Sequence, residues 1–253
     1  PDILPPLPAD APRDRATLGR WLFDPAHPLT ARVTVNRLWA QLFGRGIVET
    51  IGDFGRLGRY PSHPELLDWL AVEFRESGWD TKHVLRLMLQ SGTYRQAALG
   101  SGAPADRDPD NVLLARSPRY RLMAEEIRDA ALRTAGLLGE RVGGPPVYPF
   151  QPVNYYAGKQ GGWKWSESGG EDRFRRGLYT FWRRTTPYPT FVIFDAPDRS
   201  ECIVQRPRTN TPLQALTTLN DPQFVEAARM LADRAIQTAG TDDARIDFIA
   251  RRV

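Results

Sequence analysis

The stretch that decides the fold runs from Ala31 to Leu70, ARVTVNRLWAQLFGRGIVETIGDFGRLGRYPSHPELLDWL. Its first part places Val33, Leu38, Trp39, Leu42 and Phe43 on one stripe of a helix, with Thr30 as N-cap and Gly44 and Gly46 as its end. Its last part reads Ser62-His63-Pro64-Glu65, a capping-box pattern with proline in the first turn, followed by Leu66, Leu67, Trp69, Leu70 and Phe74. Between the two helices lies a connector with Gly52, Gly55 and Gly58 at regular spacing and with Asp53, Arg56 and Arg59. Two helices joined by a polar, glycine-punctuated connector predict an α-helical packing unit with a chemically equipped loop.

The same reading extends outward. Pro1 to Arg13 is proline-rich and predicts an extended linker. Leu18, Trp21 and Leu22 begin the helical pattern, and Asp80 or Thr81 caps a helix carrying Val84, Leu85, Leu87, Met88 and Leu89. A strong helix is predicted from about Tyr120 to Leu138, and Thr211-Pro212 and Asp221-Pro222 start two more. LYTFW (Leu178–Trp182) and TFVIF (Thr190–Phe194) are rich in β formers and predict two short strands. The expected fold is therefore mainly α: a single multi-helix domain over 14–253, with a small β element of about two strands in the second half. A candidate sub-domain boundary falls near 139–146.

Composition bounds the function classes. The chain has 253 residues, 41% hydrophobic and 25% charged, enough for a substantial core and not a disordered composition. Of 34 basic residues only Lys82, Lys159 and Lys164 are lysines. Arginine suits bidentate recognition of carboxylate or sulfate, but 30 acidic residues nearly balance the charge, so many arginines are expected in surface ion pairs. A net charge of only +4 disfavours nucleic-acid binding. Cys202 is the one cysteine, so an intrachain disulfide and a cysteine-based zinc or haem attachment site are excluded. No run approaches the ~20 apolar residues of a membrane span, and no signal peptide is visible. Both ends read as cut from something longer.

Several groups carry candidate chemistry. His63 stands at a helix N-terminus, whose positive end favours the neutral imidazole that acts as base or ligand. Asp53 could approach it from the connector, which makes His63 and Asp53 an acid/base candidate; the competing reading is that His63 and Glu65 only cap the helix. Metal binding has weaker support, since no two histidines share ligand spacing. Arg37 reads as a structural fork onto Asp53 or Asp68. In the second half Arg176 and Arg206 belong to an arginine-rich region around the strand candidates, with Asp195 among them and Trp163 and Trp165 in the adjoining glycine-rich loop. Aromatic faces beside arginines suit a sugar bearing carboxylate or sulfate; a packed aromatic cluster with structural ion pairs is the alternative.

A set of segments spanning nearly the whole chain in order resembles a planctomycete domain family of unknown function, the PSD-one domain. The segments are NRLWAQLFGRGIVET (Asn36–Thr50), DFG (Asp53–Gly55), SHPELLDWLA (Ser62–Ala71), ESGWDTKHVLRLMLQSGTYRQ (Glu76–Gln96), DPDN (Asp108–Asn111), AEEIRDAAL (Ala124–Leu132), GGPPV (Gly143–Val147) and TPLQALTTLND (Thr211–Asp221). The resemblance implies an exported, periplasmic or extracellular protein. It also implies a neighbouring cytochrome c domain carrying haem c in the full-length protein, with no cofactor in this part. It implies no reaction.

The expectation that joins these readings is a domain that binds, and processes, an acidic or sulfated polysaccharide. Trp163 and Trp165 would stack sugars, Arg176 and Arg206 would pair anions, and His63, Asp53 or Asp195 would move protons. The alternative expectation is a non-catalytic interaction module that docks the haem domain or a partner protein.

Overall fold

Proline and short polar caps set most of the helix starts. The computed structural model describes residues 4–98, 107–152, 155 and 164–253; Trp163 lies outside them. Among the described residues the α-helices are α1 (Arg15–Leu22), α2 (Thr30–Phe43), α3 (Pro64–Glu76), α4 (Thr81–Gln90), α5 (Ala124–Ala135), α6 (Pro189–Ile193), α7 (Pro212–Asn220), α8 (Pro222–Thr238) and α9 (Asp242–Ala250). The chain divides into two compact units, Pro1–Tyr120 and Arg121–Val253. The stretch 139–146 lies inside the second.

In the first unit α2, α3 and α4 pack around Val35, Trp39, Phe43, Leu67, Leu70, Phe74, Val84 and Met88. Trp39 stacks on Phe43 with ring centroids 3.8 Å apart. Asp80 caps α4, its Oδ1 accepting from the N–H groups of Lys82 and His83, which is the expected use of a short polar side chain at a helix start. Two other expected caps differ. Thr30 is the first residue of α2, and the N–H groups of Leu29 and Thr30 donate instead to Nδ1 of the buried His27. The Ser62–Glu65 capping box is not formed: Pro64 opens α3, so His63 becomes the N-cap, and the Ser62 N–H and hydroxyl turn back to the Ile47 carbonyl.

The second unit is built on α5, against which α6 and α8 pack; α8 also meets α7 and α9. Its core holds Ala124, Tyr188, Phe191 and Phe194, with Trp165, Trp182 and Phe224 against them. Thr211 and Gln214 form a reciprocal capping box on α7, and Asp221 caps α8. Two consecutive residues of α5 hold the irregular segment 173–179. The Arg128 guanidinium, 1% exposed, donates to the carbonyls of Arg175 (2.6 Å) and Arg173 (2.8 Å), and Asp129 Oδ1 accepts from the Gly177 N–H (2.7 Å). The approach is so close that a Cβ on Gly177 would stand 3.1 Å from Glu125 Cα. Burial pushes the Asp129 carboxyl up, against the pull of the Gly177 N–H, and pushes the Tyr188 phenol up to about 12.

The two-strand expectation is corrected here. TFVIF lies mostly in the short helix α6: Pro189 opens it, and Phe191 packs edge-on against Tyr188. Proline is pre-set for a first helical turn and the residue before it is driven extended, so local backbone constraint and burial override the β preference of Thr190, Phe191, Val192 and Ile193. LYTFW begins in a 3₁₀ turn, Gly177–Tyr179, and contributes one isolated bridge, Thr180 to Val147.

Candidate functional site

The best-formed cavity described in the first unit lies where α2 ends and α3 begins. It encloses about 360 Å³, within the size range of small-ligand pockets. Trp39 and Phe43 contribute apolar surface, Ser62 and His63 come from the α3 start, and Arg45, Asp110, Asn111, Arg116, Arg119 and Tyr120 complete the polar lining.

Each wall has a local cause. Gly44 ends α2 in the left-handed region (φ +76°), and Tyr120 sits directly over it, its hydroxyl donating to the last-turn carbonyls of Gln41 and Leu42. A Cβ at residue 44 would come within 2.8 Å of the Tyr120 ring, so glycine meets both the backbone and the packing demand. The connector is pinned by Asn36, which is fully buried on α2: its Nδ2 donates to the Val48 carbonyl (3.0 Å) and its Oδ1 accepts from the Val48 N–H (2.9 Å).

The facing loop is folded on itself. The Asp108 carboxylate accepts from the N–H groups of Val112 and Leu113, and these bonds hold its pKa below the usual carboxylate value. Asn111, at φ +53°, bonds both the N–H and the carbonyl of Arg116. Arg116 uses Nη2 on the carbonyls of Asp108 and Pro109. Arg116 lies near the Asp108 carboxylate, whose pKa its charge helps to lower, but neither it nor Arg119 forms a salt bridge among the described residues, whereas Arg45 is paired with Glu49 (2.9 Å) and lies 3.8 Å from Asp110. His63 Nδ1 lies 2.9 Å from Ser62 Oγ, and His63 is part of the cavity lining.

Among the described residues, His63 is the candidate catalytic or substrate-binding residue read from sequence that lines this cavity. Asp53 does not: its Oδ1 accepts from the Gly55 N–H, stapling its own turn. Asp68 is bound by Arg32 (2.6 Å), not by Arg37, which is exposed. In the second unit Asp195 and Arg206 do share a cavity, but of about 10 Å³, room for one water and no sugar. Asp195 receives the N–H and hydroxyl of Thr209 in a backbone turn at φ +62°. Arg206 pairs with Glu125 at 2.7 Å. Trp165 is part of the aromatic core, stacked on Tyr188 with its indole N–H donating to the Pro149 carbonyl. Arg176 is exposed at the edge of the 3₁₀ turn beside Asp129. The expectation for Trp163 falls outside the described residues. Cys202 is exposed.

The residues that sequence reading missed are Arg45, Arg116, Arg119 and Tyr120. The signal for the loop was the turn-forming Asp108-Pro109-Asp110-Asn111 run followed by Arg116. Among the described residues no group of three or more His, Cys, Asp or Glu side chains could hold a metal ion, and no helix is long and apolar enough to cross a membrane.

No curated protein and no solved structure matches the chain. The family model PSD1, described as "Protein of unknown function (DUF1553)", matches residues 14–253. The chain therefore belongs to the PSD1 family.

Proposed function

We propose that the first unit binds an acidic saccharide, carboxylated or sulfated, in the cleft between the α2 end, the α3 start and the 107–120 loop. The observation that carries this reading is the lining itself. Arg116 and Arg119 form no salt bridge among the described residues, and His63, Asn111 and Asp110 stand beside them over apolar surface. Guanidinium groups pair with the anion, while the amide and carboxylate take sugar hydroxyls. The proposal is for binding. Asp53 and Asp195 are turn staples, so the proton-transfer roles expected for them have no geometric support. A location outside the cytoplasm and a haem-bearing neighbour complete the proposal, supported by the segment resemblance described above.

The test is calorimetric titration of the chain with galacturonate oligomers, sulfated galactose oligomers and their neutral counterparts. One acidic series is expected to bind and the neutral ones are not. The Arg116→Ala/Arg119→Ala double variant should lose at least about tenfold in affinity, since each charge-assisted hydrogen bond contributes on that order. Equal binding of neutral and acidic oligomers, or unchanged affinity in a folded double variant, would contradict the reading.

The docking alternative has one observation in its favour: α7 exposes Leu213, Leu216 and Leu219 on one side, an apolar stripe of the kind that marks interaction surfaces. It predicts no saturable heat with any acidic saccharide in the same titration.

A further inference from the structure

The cleft does not stop at Arg45. Arg45, Ser62 and Val112 also line a second, shallower trough of about 750 Å³, whose far wall is built by Leu57, Arg59 and Tyr60 of the connector. Tyr60 is 96% exposed and Leu57 91%. This exposure belongs to an ordered turn. Thr50 Oγ1 donates to the Asp53 carbonyl and accepts from the Arg59 N–H, Asp53 Oδ1 holds Gly55, and the Gly58 N–H donates to the Gly55 carbonyl. The fold thus orders the backbone that carries an aromatic residue and an arginine at one end of a groove whose other end holds Arg116, Arg119 and His63.

We propose that the two cavities form one groove that accepts an acidic glycan chain of several units, its charged unit seated at Arg116 and Arg119 and a sugar face packed on Tyr60 with Arg59 beside it. This rests on the reading of the inner cleft as an acidic-saccharide site. The middle of the groove favours a glycan over a nucleic acid. Glu49 and Asp110 flank Arg45 there, and a polymer with a phosphate on every unit would bring its charge against these carboxylates. A glycan with spaced charges puts hydroxyl groups there, which donate to them. Single-stranded nucleic acid also uses successive stacking faces, whereas Tyr60 is the one fully exposed aromatic ring in the lining.

The experiment compares a dimer with an octamer of whichever acidic series binds, using the whole chain, the Tyr60→Ala and Arg59→Ala variants, and a thymidine oligonucleotide of matching length. The wild type should bind the octamer about 100-fold tighter than the dimer, well beyond the several-fold gain from extra binding registers alone. Each variant should lower octamer affinity by roughly tenfold and leave dimer affinity unchanged. Dimer binding without length dependence would overturn the groove while leaving the inner site standing. Variants that weaken dimer and octamer alike, or neither, would also overturn it, as would an oligonucleotide that binds as tightly as the octamer. Absence of binding by dimer and octamer together would remove the inner site as well.

Discussion

Asn36→Ala is expected to destabilise the protein by about 2–5 kcal/mol, because it leaves the N–H and carbonyl of Val48 without partners at a buried position, each worth about 1–3 kcal/mol. Val48 is 3% exposed, so water cannot take over these bonds without opening the connector. Asn36→Asp should not rescue: it keeps an acceptor for the Val48 N–H but faces the Val48 carbonyl with an oxygen and places a charge in the interior. Urea unfolding followed by far-UV circular dichroism measures the effect. Saccharide binding should fall with it, since the connector carries the Arg45 and Ser62 walls of the cleft. An unchanged unfolding midpoint would show that the amide clamp is not what holds the connector to α2.

Arg128→Met should cost about 3 kcal/mol or more, through the second unit. A buried ion can often be exchanged for an apolar residue without loss, but here the guanidinium is the donor for two backbone carbonyls, those of Arg173 and Arg175, which methionine leaves unpaired. Arg128→Lys should recover little of the loss, because a single ammonium lacks the fork that reaches both oxygens. The consequences should spread along 173–179. Arg175 is itself 2% exposed, donates to the carbonyls of Pro145 and Gly143 and lies over the Tyr179 ring at 4.0 Å. Thermal unfolding followed by far-UV circular dichroism measures the loss. A melting curve for Arg128→Met that overlays the wild type would show that segment 173–179 is held by other contacts.

The sequence conveyed the helices whose starts are chemically local. Asp80, Thr211 and Asp221 each cap a helix within three residues of themselves, so the signal and its effect lie in one short window. It misled where a distant partner decides. TFVIF has the composition of a strand and becomes a helix because Pro189 starts it and Thr190 and Phe191 are buried in a helix that packs against α5 and α7. Trp165 and Arg206 have the side chains of ligand-binding residues, yet Tyr188 and Glu125, remote in the chain, occupy them. The same non-locality hid the cleft. His63 was legible because Pro64 places it at a helix start, but the arginines opposite it reach the cavity only through the closure of the 107–120 loop over Gly44. Asn36, a polar residue within α2, is buried and holds the connector through Val48.

Three histidines provide the most direct test of the acidic-saccharide cleft. His27 is buried as the acceptor at the α2 start, His83 is paired with Glu73 at 2.6 Å, and His63 lines the cavity. Imidazole ¹H–¹⁵N spectra of the chain, with the His63→Gln variant to assign the signal, can be followed while an acidic oligosaccharide is added. The account predicts a saturable shift of the His63 resonances with those of His27 and His83 unmoved. Saturable binding that leaves His63 in place, or that moves the other two histidines instead, would contradict it.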